Sequence, residues 1–337
     1  MKLTPSQLRS IVKGTSVITE NADGTLGLQR MTEEQIAFYP IHDPAREFSC
    51  RLAAGIQLDF YTDSTTLNLT VSGRRKKKND SMVVDVLENN VLAQSVTCYF
   101  PAEASGEVTQ FPARTLRFSL SEGEKRVTLC FARGASADSV SVELDDGASL
   151  RPYTHARTLV ALGDSITFGA SAVNPSLSYV NRLGRMLDAE VHNYGIGGER
   201  FEEWKVLKGS YPKCDLVTVA YGTNDFGHKT WSDEKFSYKM PAFLKAVSEE
   251  FASVPVFILL PLWRDDENDV KNDLGILQNV RDRIAKEAQK YANLTVVDTW
   301  EFIPHEPKYF ADLKLHPNNE GMEFYAAGLF EAIKNKI

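Results

Sequence analysis

Cysteine is scarce in this chain of 337 residues: Cys50, Cys98, Cys130 and Cys214 stand far apart, with no C-x-x-C pair among them. That spacing argues for reduced, buried thiols and against disulfides, redox motifs or a zinc site. Long apolar runs are also missing, and nothing approaches the roughly 18 consecutive apolar residues of a membrane span. The opening MKLTPSQLRSIVKG carries charge and polarity where a secretory signal needs an apolar core, so a soluble, cytoplasmic chain is expected. Positive charge is in deficit: the formal net charge is -7, which disfavours general affinity for nucleic acid or an anionic membrane. The one basic run, GRRKKKND from Gly73 to Asp80, reads as a solvated hairpin loop. His42, His155, His192, His228 and His305 share no metal spacing and read as structural or surface residues.

A globular composition remains, 43% hydrophobic and 25% charged, on a chain long enough for two cores. From about Glu47 to Leu150, period-two stretches such as IQLDFYT and LNLTV alternate with the turn signals ENN, SEGEK and DDG. Strands without intervening helices predict an antiparallel sandwich or jelly roll over residues 1–152, with a short helix in TPSQLRSIV capped by Thr4 or Ser6. From residue 153 to 337 the pattern changes to strands alternating with long helical stretches: TLVAL, EVHNY, DLVTVAY, VPVFILLPL and LTVVD are the strands. That order predicts a parallel sheet covered by helices on both faces.

Ligands of such sheets sit beyond the carboxyl ends of the strands. The first strand delivers Gly163-Asp164-Ser165, the second NYGIGGER, the third Tyr221 to Asp225, and the fourth PLWRDDE; Asp312 and His316 precede the last helix. A serine, glycines with open backbone, an asparagine and a histidine therefore meet at one edge. Those types suit acyl transfer, because a serine hydroxyl needs an imidazole to take its proton and the oxyanion needs preorganised donors. Ser165 could also be a helix cap. A phosphate loop is excluded because Gly163 is followed six residues later by Gly169-Ala170 with no lysine. GIGGER lacks the dinucleotide fingerprint, and Thr167 stands where G-x-S-x-G needs its second glycine. Asp164 and Asp225 read as braces of their turns, with a catalytic acid as the alternative for each. Trp263 and Arg264 are candidates for a substrate wall or a carboxylate contact, with a core edge as the alternative for Trp263.

GDSITFG, NYGIGGE, GTND and HPNNEG, in that order over about 160 residues, resemble the four blocks of the SGNH, or GDSL, hydrolases. The resemblance implies a flavodoxin-like α/β/α sandwich with Ser165 as nucleophile and His316 as general base and then acid. It also implies an oxyanion hole from the Ser165 and Gly198 N–H groups and the Asn224 side chain. One departure stands out: the family's last block is D-x-x-H, but Leu313 occupies that aspartate position and Asp312 is four residues before His316. Asp312 could complete a triad; otherwise a main-chain carbonyl or Asp298 holds the histidine. The amino-terminal half resembles the jelly-roll domain that precedes the hydrolase domain in some carbohydrate acetyl esterases. It could line part of the substrate cleft or serve only as a packing module. The expected activity is hydrolysis of short-chain esters, acetyl foremost, on a carbohydrate or other small ester. The alternatives are acyl transfer to a sugar and a glycan-binding protein with a degenerate hydrolase domain. The loops WSDEKFSYKM and DDENDVKNDLG leave a lid or a homo-oligomer contact open.

Overall fold

A computed structural model of the protein describes residues 1–76, 81–98 and 107–337. The chain divides into two units, Met1–Ala156 with Asn174–Ser176, and Arg157–Val173 with Leu177–Ile337. The division falls four residues after the expected 152/153 boundary. The excursion of Asn174–Ser176 into the first unit has a physical cause in Asp85, a fully buried carboxylate. It accepts hydrogen bonds from the Ser176 hydroxyl at 2.6 Å, the Ser176 N–H at 2.9 Å and the Asn174 amide at 3.0 Å.

In the first unit, Pro5–Ile11 is a short helix whose N-cap is Thr4, with Gln7 closing the capping box. One antiparallel sheet runs Val12–Lys13, Gln57–Thr62, Lys125–Phe131, Met82–Glu88, Val91–Cys98, with Arg151–Pro152 paired to Gln57–Thr62. The other runs Val17–Glu20, Leu26–Gln29, Ala137–Leu144, Thr66–Arg75, Thr109–Ser119. Their inward residues, Phe60, Leu69, Val84, Leu129 and Val142 among them, form one core. Each fully buried Val, Leu or Phe there contributes about 1.5–3 kcal/mol. The Glu88/Val91 hairpin turns through Asn89 and Asn90, both left-handed at φ 49° and 70°, the geometry that two-residue hairpins select. The expected loop at Gly73 starts later than read: Gly73, Arg74 and Arg75 still belong to the strand Thr66–Arg75, Arg74 pairs with Asp138 at 2.6 Å and Arg75 is buried. Lys77–Asp80 lie outside the described residues.

The second unit is a five-stranded parallel sheet ordered Ala189–Asn193, Arg157–Gly163, Leu216–Ala220, Val256–Leu259, Leu294–Val297. In chain order this is 2-1-3-4-5, the flavodoxin-like winding, whose switch point lies between the first and third strands. Helix Tyr179–Leu187 contributes Tyr179, Val180, Leu183 and Leu187 to the core, and helix Asn319–Ile333 contributes Met322, Tyr325, Ala326, Leu329 and Ile333. These spacings put the apolar residues of each helix on one stripe. The helix read across Asn268 to Ala292 is shorter, Leu277–Ala288. Its front half is a loop because Gly275 turns left-handed and the Asn272 amide donates to the Asp225, Phe226 and His228 carbonyls. No helix among the described residues is long and apolar enough to cross a membrane.

Candidate active site

The nucleophile candidate stands where the first parallel strand stops. A Cβ at Gly163 would lie 2.1 Å from the Thr167 hydroxyl and 3.1 Å from the Ala220 carbonyl, so only glycine lets the chain fold back so tightly. The turn closes through Phe168 N–H to Asp164 O and Ala170 N–H to Ser165 O, both 2.9 Å. Asp164 braces it by accepting the Ile166 N–H at 3.0 Å. The capping of helix Tyr179–Leu187 falls to Ser178, whose hydroxyl accepts from Asn181. Ser165 is thus free of that duty, and its Oγ lies 2.9 Å from His316 Nε2.

His316 sits in a loop folded around a carboxylate. Asp312 Oδ1 accepts the N–H groups of Lys314 at 3.1 Å, Leu315 at 2.8 Å and His316 at 3.0 Å, while Oδ2 lies 2.8 Å from His316 Nδ1. Leu313 makes this possible by turning left-handed at φ 58°, which absorbs the extra residue of the D-x-x-x-H spacing. Asp298, the alternative partner, is engaged elsewhere, with Arg281 and the Trp300 N–H. Burial acts to raise the Asp312 carboxyl, but the Leu315 N–H, the His316 ring and the His316 and Lys314 N–H groups outweigh it and bring it down to about 2.

The loop after the second strand extends the parallel ladder, with Tyr194 N–H on Ala161 O at 2.8 Å and Ile196 N–H on Gly163 O at 3.1 Å. Asn193 locks it to the Ser165 turn: its amide donates to Thr167 O and its Oδ1 accepts the Gly195 N–H, each at 2.8 Å. Reading the sequence missed this brace; an asparagine two residues before a glycine was its signal. A methyl added at Gly197 would come 3.9 Å from Ser165 Cβ, and Gly198 follows in left-handed conformation at φ 74°. Among the described residues, neither the Ser165 nor the Gly198 N–H is spent on another protein group. Asn224, on the helix Thr223–Gly227, donates its amide to Glu199 O at 2.9 Å and to Asp164 Oδ2 at 3.3 Å.

Behind these groups the site is acidic and dry. Burial pushes Asp164 up to about 7, against the Ile166 N–H that acts to lower it, and pushes Asp225 up to about 7 as well. Glu199 is buried and paired with Lys205 at 3.2 Å. Arg264 does make a carboxylate contact, but with its own chain: it holds Asp266 through two nitrogens and donates from Nη1 to Thr223 O and Oγ1, both 3.0 Å. Trp263 is 8% exposed, its ring 5.2 Å from His305 in a parallel stack and 5.3 Å from Phe310. It is therefore a core residue and not the open substrate wall considered from the sequence. No group of three or more His, Cys, Asp or Glu side chains among the described residues is arranged to hold a metal ion.

Residues 161–324 match the model of the GDSL-like Lipase/Acylhydrolase family. A search of curated protein sequences found no match. Among solved structures, the chain is similar to the salicylyl-acyltransferase SsfX3 from a tetracycline biosynthetic pathway, with a TM-score of 0.76, 19% identity and coverage of 96% of this chain and 94% of that one. A putative GDSL-like lipase from Bacteroides ovatus gives 0.74, with 17% identity and coverage of 99% and 97%. A family two carbohydrate esterase from Cellvibrio japonicus gives 0.65, with 15% identity and coverage of 99% and 97%. At these identities the likeness is one of fold.

Proposed function

From the match of residues 161–324 to the GDSL-like lipase/acylhydrolase family we propose that the protein is a serine esterase that removes short acyl groups, acetyl foremost, from a carbohydrate ester. The observation that carries this reading is the hydrogen-bonded series Ser165 Oγ, His316 Nε2, His316 Nδ1, Asp312 Oδ2, at 2.9 Å and 2.8 Å. In the forward step His316 Nε2 takes the Ser165 proton as Oγ attacks the ester carbonyl. Asp312 holds the ring in the tautomer that leaves Nε2 free to accept, and stabilises the cation that forms.

The tetrahedral oxyanion is met by the Ser165 and Gly198 N–H groups and by one Asn224 N–H. Both Asn224 protons are engaged at rest, and the longer bond, to Asp164, is the one released. Collapse of the intermediate expels the alcohol, which takes its proton from His316, and leaves an acyl-Ser165. Water then repeats the sequence, with His316 as base, to free the acid.

The carbohydrate part of this reading draws support from the family two carbohydrate esterases among the fold's neighbours. Hydrolysis of nitrophenyl acetate that falls steeply with acyl length, vanishes in Ser165→Ala and extends to acetylated oligosaccharides is the expected result. Activity rising toward long acyl chains would replace it with a lipase. The acyltransferase likeness over nearly the whole chain favours a second reading, transfer to a hydroxyl acceptor. Adding acceptor sugars to the assay and looking for acetylated sugar in place of free acetate distinguishes the two.

A further inference from the structure

Beside the Ser165–His316 pair, three cationic side chains share one carboxylate. Asp266 is 6% exposed at its side chain and is bound by Arg264, by Lys271 and, at 2.7 Å, by Lys314. In direct ion pairs one negative charge thus meets three positive ones, while Asp312, Asp164 and Asp269 act on Arg264 from farther away. Arg264 and Lys271 are themselves sheltered, their side chains 6% and 17% exposed, while Lys314 is open at 46%. Sheltered charge without a full set of counter-charges is costly, and a surplus like this one is satisfied most simply by an incoming anion. Asp265, Glu267 and Asp269 lie in the same loop, but among the described residues none of them forms an ion pair with the three cations. Burial first, then Arg264 and Lys314, push Lys271 down to about 8, as expected for an ammonium surrounded by its own sign.

The position gives the surplus a purpose. Lys314 lies between Asp312 and His316 in the loop that carries the base, and Asp265 N–H holds its carbonyl at 3.0 Å. On the other side Arg264 grips Thr223, the residue before Asn224. The cluster therefore joins the loop of the proton acceptor to the helix of the amide donor. We propose that Lys271 and Lys314, with Arg264 behind them, receive a carboxylate or phosphate carried by the ester substrate itself. Oxygen anions of both kinds accept hydrogen bonds from lysine ammonium groups. This inference rests on the esterase reading and narrows its substrate to anionic esters.

Matched ester pairs test it. 3-Acetoxybenzoate against 3-acetoxybenzamide puts the charge on the alcohol; nitrophenyl hemisuccinate against nitrophenyl butyrate puts it on the acyl group. The wild type should prefer the anionic member of one pair by several-fold to about tenfold in kcat/KM, the scale of one partly exposed ion pair. The preference should shrink as ionic strength rises from about 0.05 to about 0.5 M. Lys314→Met and Lys271→Met should bring the ratio near one while leaving the neutral ester within about twofold. No preference in either pair, or equal losses on neutral and anionic esters, overturns the proposal. If no ester at all is hydrolysed, it is the esterase reading that fails. The anion site is then read by mass spectrometry, as benzoate protection of Lys271 from amine acylation. Protection that disappears in Lys314→Met supports the site, and absence of protection in the wild type overturns it.

Discussion

The turn that holds Ser165 and the loop that holds His316 solve the same problem by opposite means. The Ser165 turn is built from outside: its strand end fits only glycine, Asn193 ties it to the neighbouring loop, and Asp164 is sealed within it. The histidine loop builds itself, from three consecutive N–H groups and an imidazole around Asp312, whose side chain is 42% exposed. The two aspartates move in opposite directions accordingly, Asp164 up to about 7 and Asp312 down to about 2. A carboxylate with few donors in a dry site holds on to its proton, whereas one ringed by donors gives it up. Position beside Ser165 or His316 therefore does not decide what an aspartate does; its donors do.

The sharpest way to break this contrast is Asp312→Asn. The new side chain keeps Oδ1 for the three backbone N–H groups, so the loop persists, but its amide now faces Nδ1 and forces the proton onto Nε2, where it blocks acceptance from Ser165. Turnover should fall by about 10⁴-fold in a variant that is still folded at the assay temperature, although it has lost the stabilising charge of Asp312. Near wild-type turnover would mean that a Ser–His dyad suffices. Next in size is Asn224→Ala, which removes the proposed oxyanion donor and should lower kcat by about 10²–10³-fold while KM moves little. A loss confined to KM would assign Asn224 to substrate binding instead.

Asp164→Asn probes the buried side. A carboxyl raised from 3.8 to about 7 holds its proton in the folded protein at pH values where the unfolded chain has released it, so its contribution to stability falls as pH rises from about 4 to about 7. Between pH 5 and 7.5 the wild type should lose roughly 2–3 kcal/mol from this group, about two units at 1.36 kcal/mol each, and the variant should not. Denaturant titrations at the two pH values read the difference directly. Asp225 shifts the same way and remains in both proteins, so it cancels. Asp312 has the reverse sign: its stabilising contribution is present above its ordinary range and is lost as pH falls toward about 2.

How much of this could be read from the chain follows the same division. The parallel strands, the antiparallel half and the four motif blocks were legible because apolar periodicity and glycine placement are local signals. The strands Val12–Lys13, Val17–Glu20 and Leu26–Gln29 were not, being too short to show a period. Glu47–Cys50, at the start of the stretch that reads as strands, form a helical turn instead; no β-branched residue stands there before Ile56, so the strand signal begins only with Gln57–Thr62. The partner of His316 was legible only in part. Asp312 stood out as the nearest acid despite its D-x-x-x-H spacing, with a main-chain carbonyl and Asp298 as alternatives, and the left-handed turn at Leu313 brings its carboxylate to the ring. Trp263 failed in the other direction, since a large ring near a strand end has no sequence mark that distinguishes a wall from a core.

Leu313 also offers the gentlest test of the two building modes. A non-glycine residue in the left-handed region costs about 1–2 kcal/mol, and this side chain is 63% exposed, so little burial offsets that cost. Glycine would remove the strain but add freedom to the unfolded chain, about 0.5–1 kcal/mol. Leu313→Gly should accordingly stabilise the protein by up to about 1 kcal/mol, or leave it unchanged, as measured by chemical denaturation. The opposite exchange in the Ser165 turn, Gly163→Ala, has no such latitude, because its methyl would land 2.1 Å from the Thr167 hydroxyl. If Leu313→Gly instead destabilised the fold by more than about 1 kcal/mol, the histidine loop would depend on that side chain and not on the hydrogen bonds around Asp312 alone.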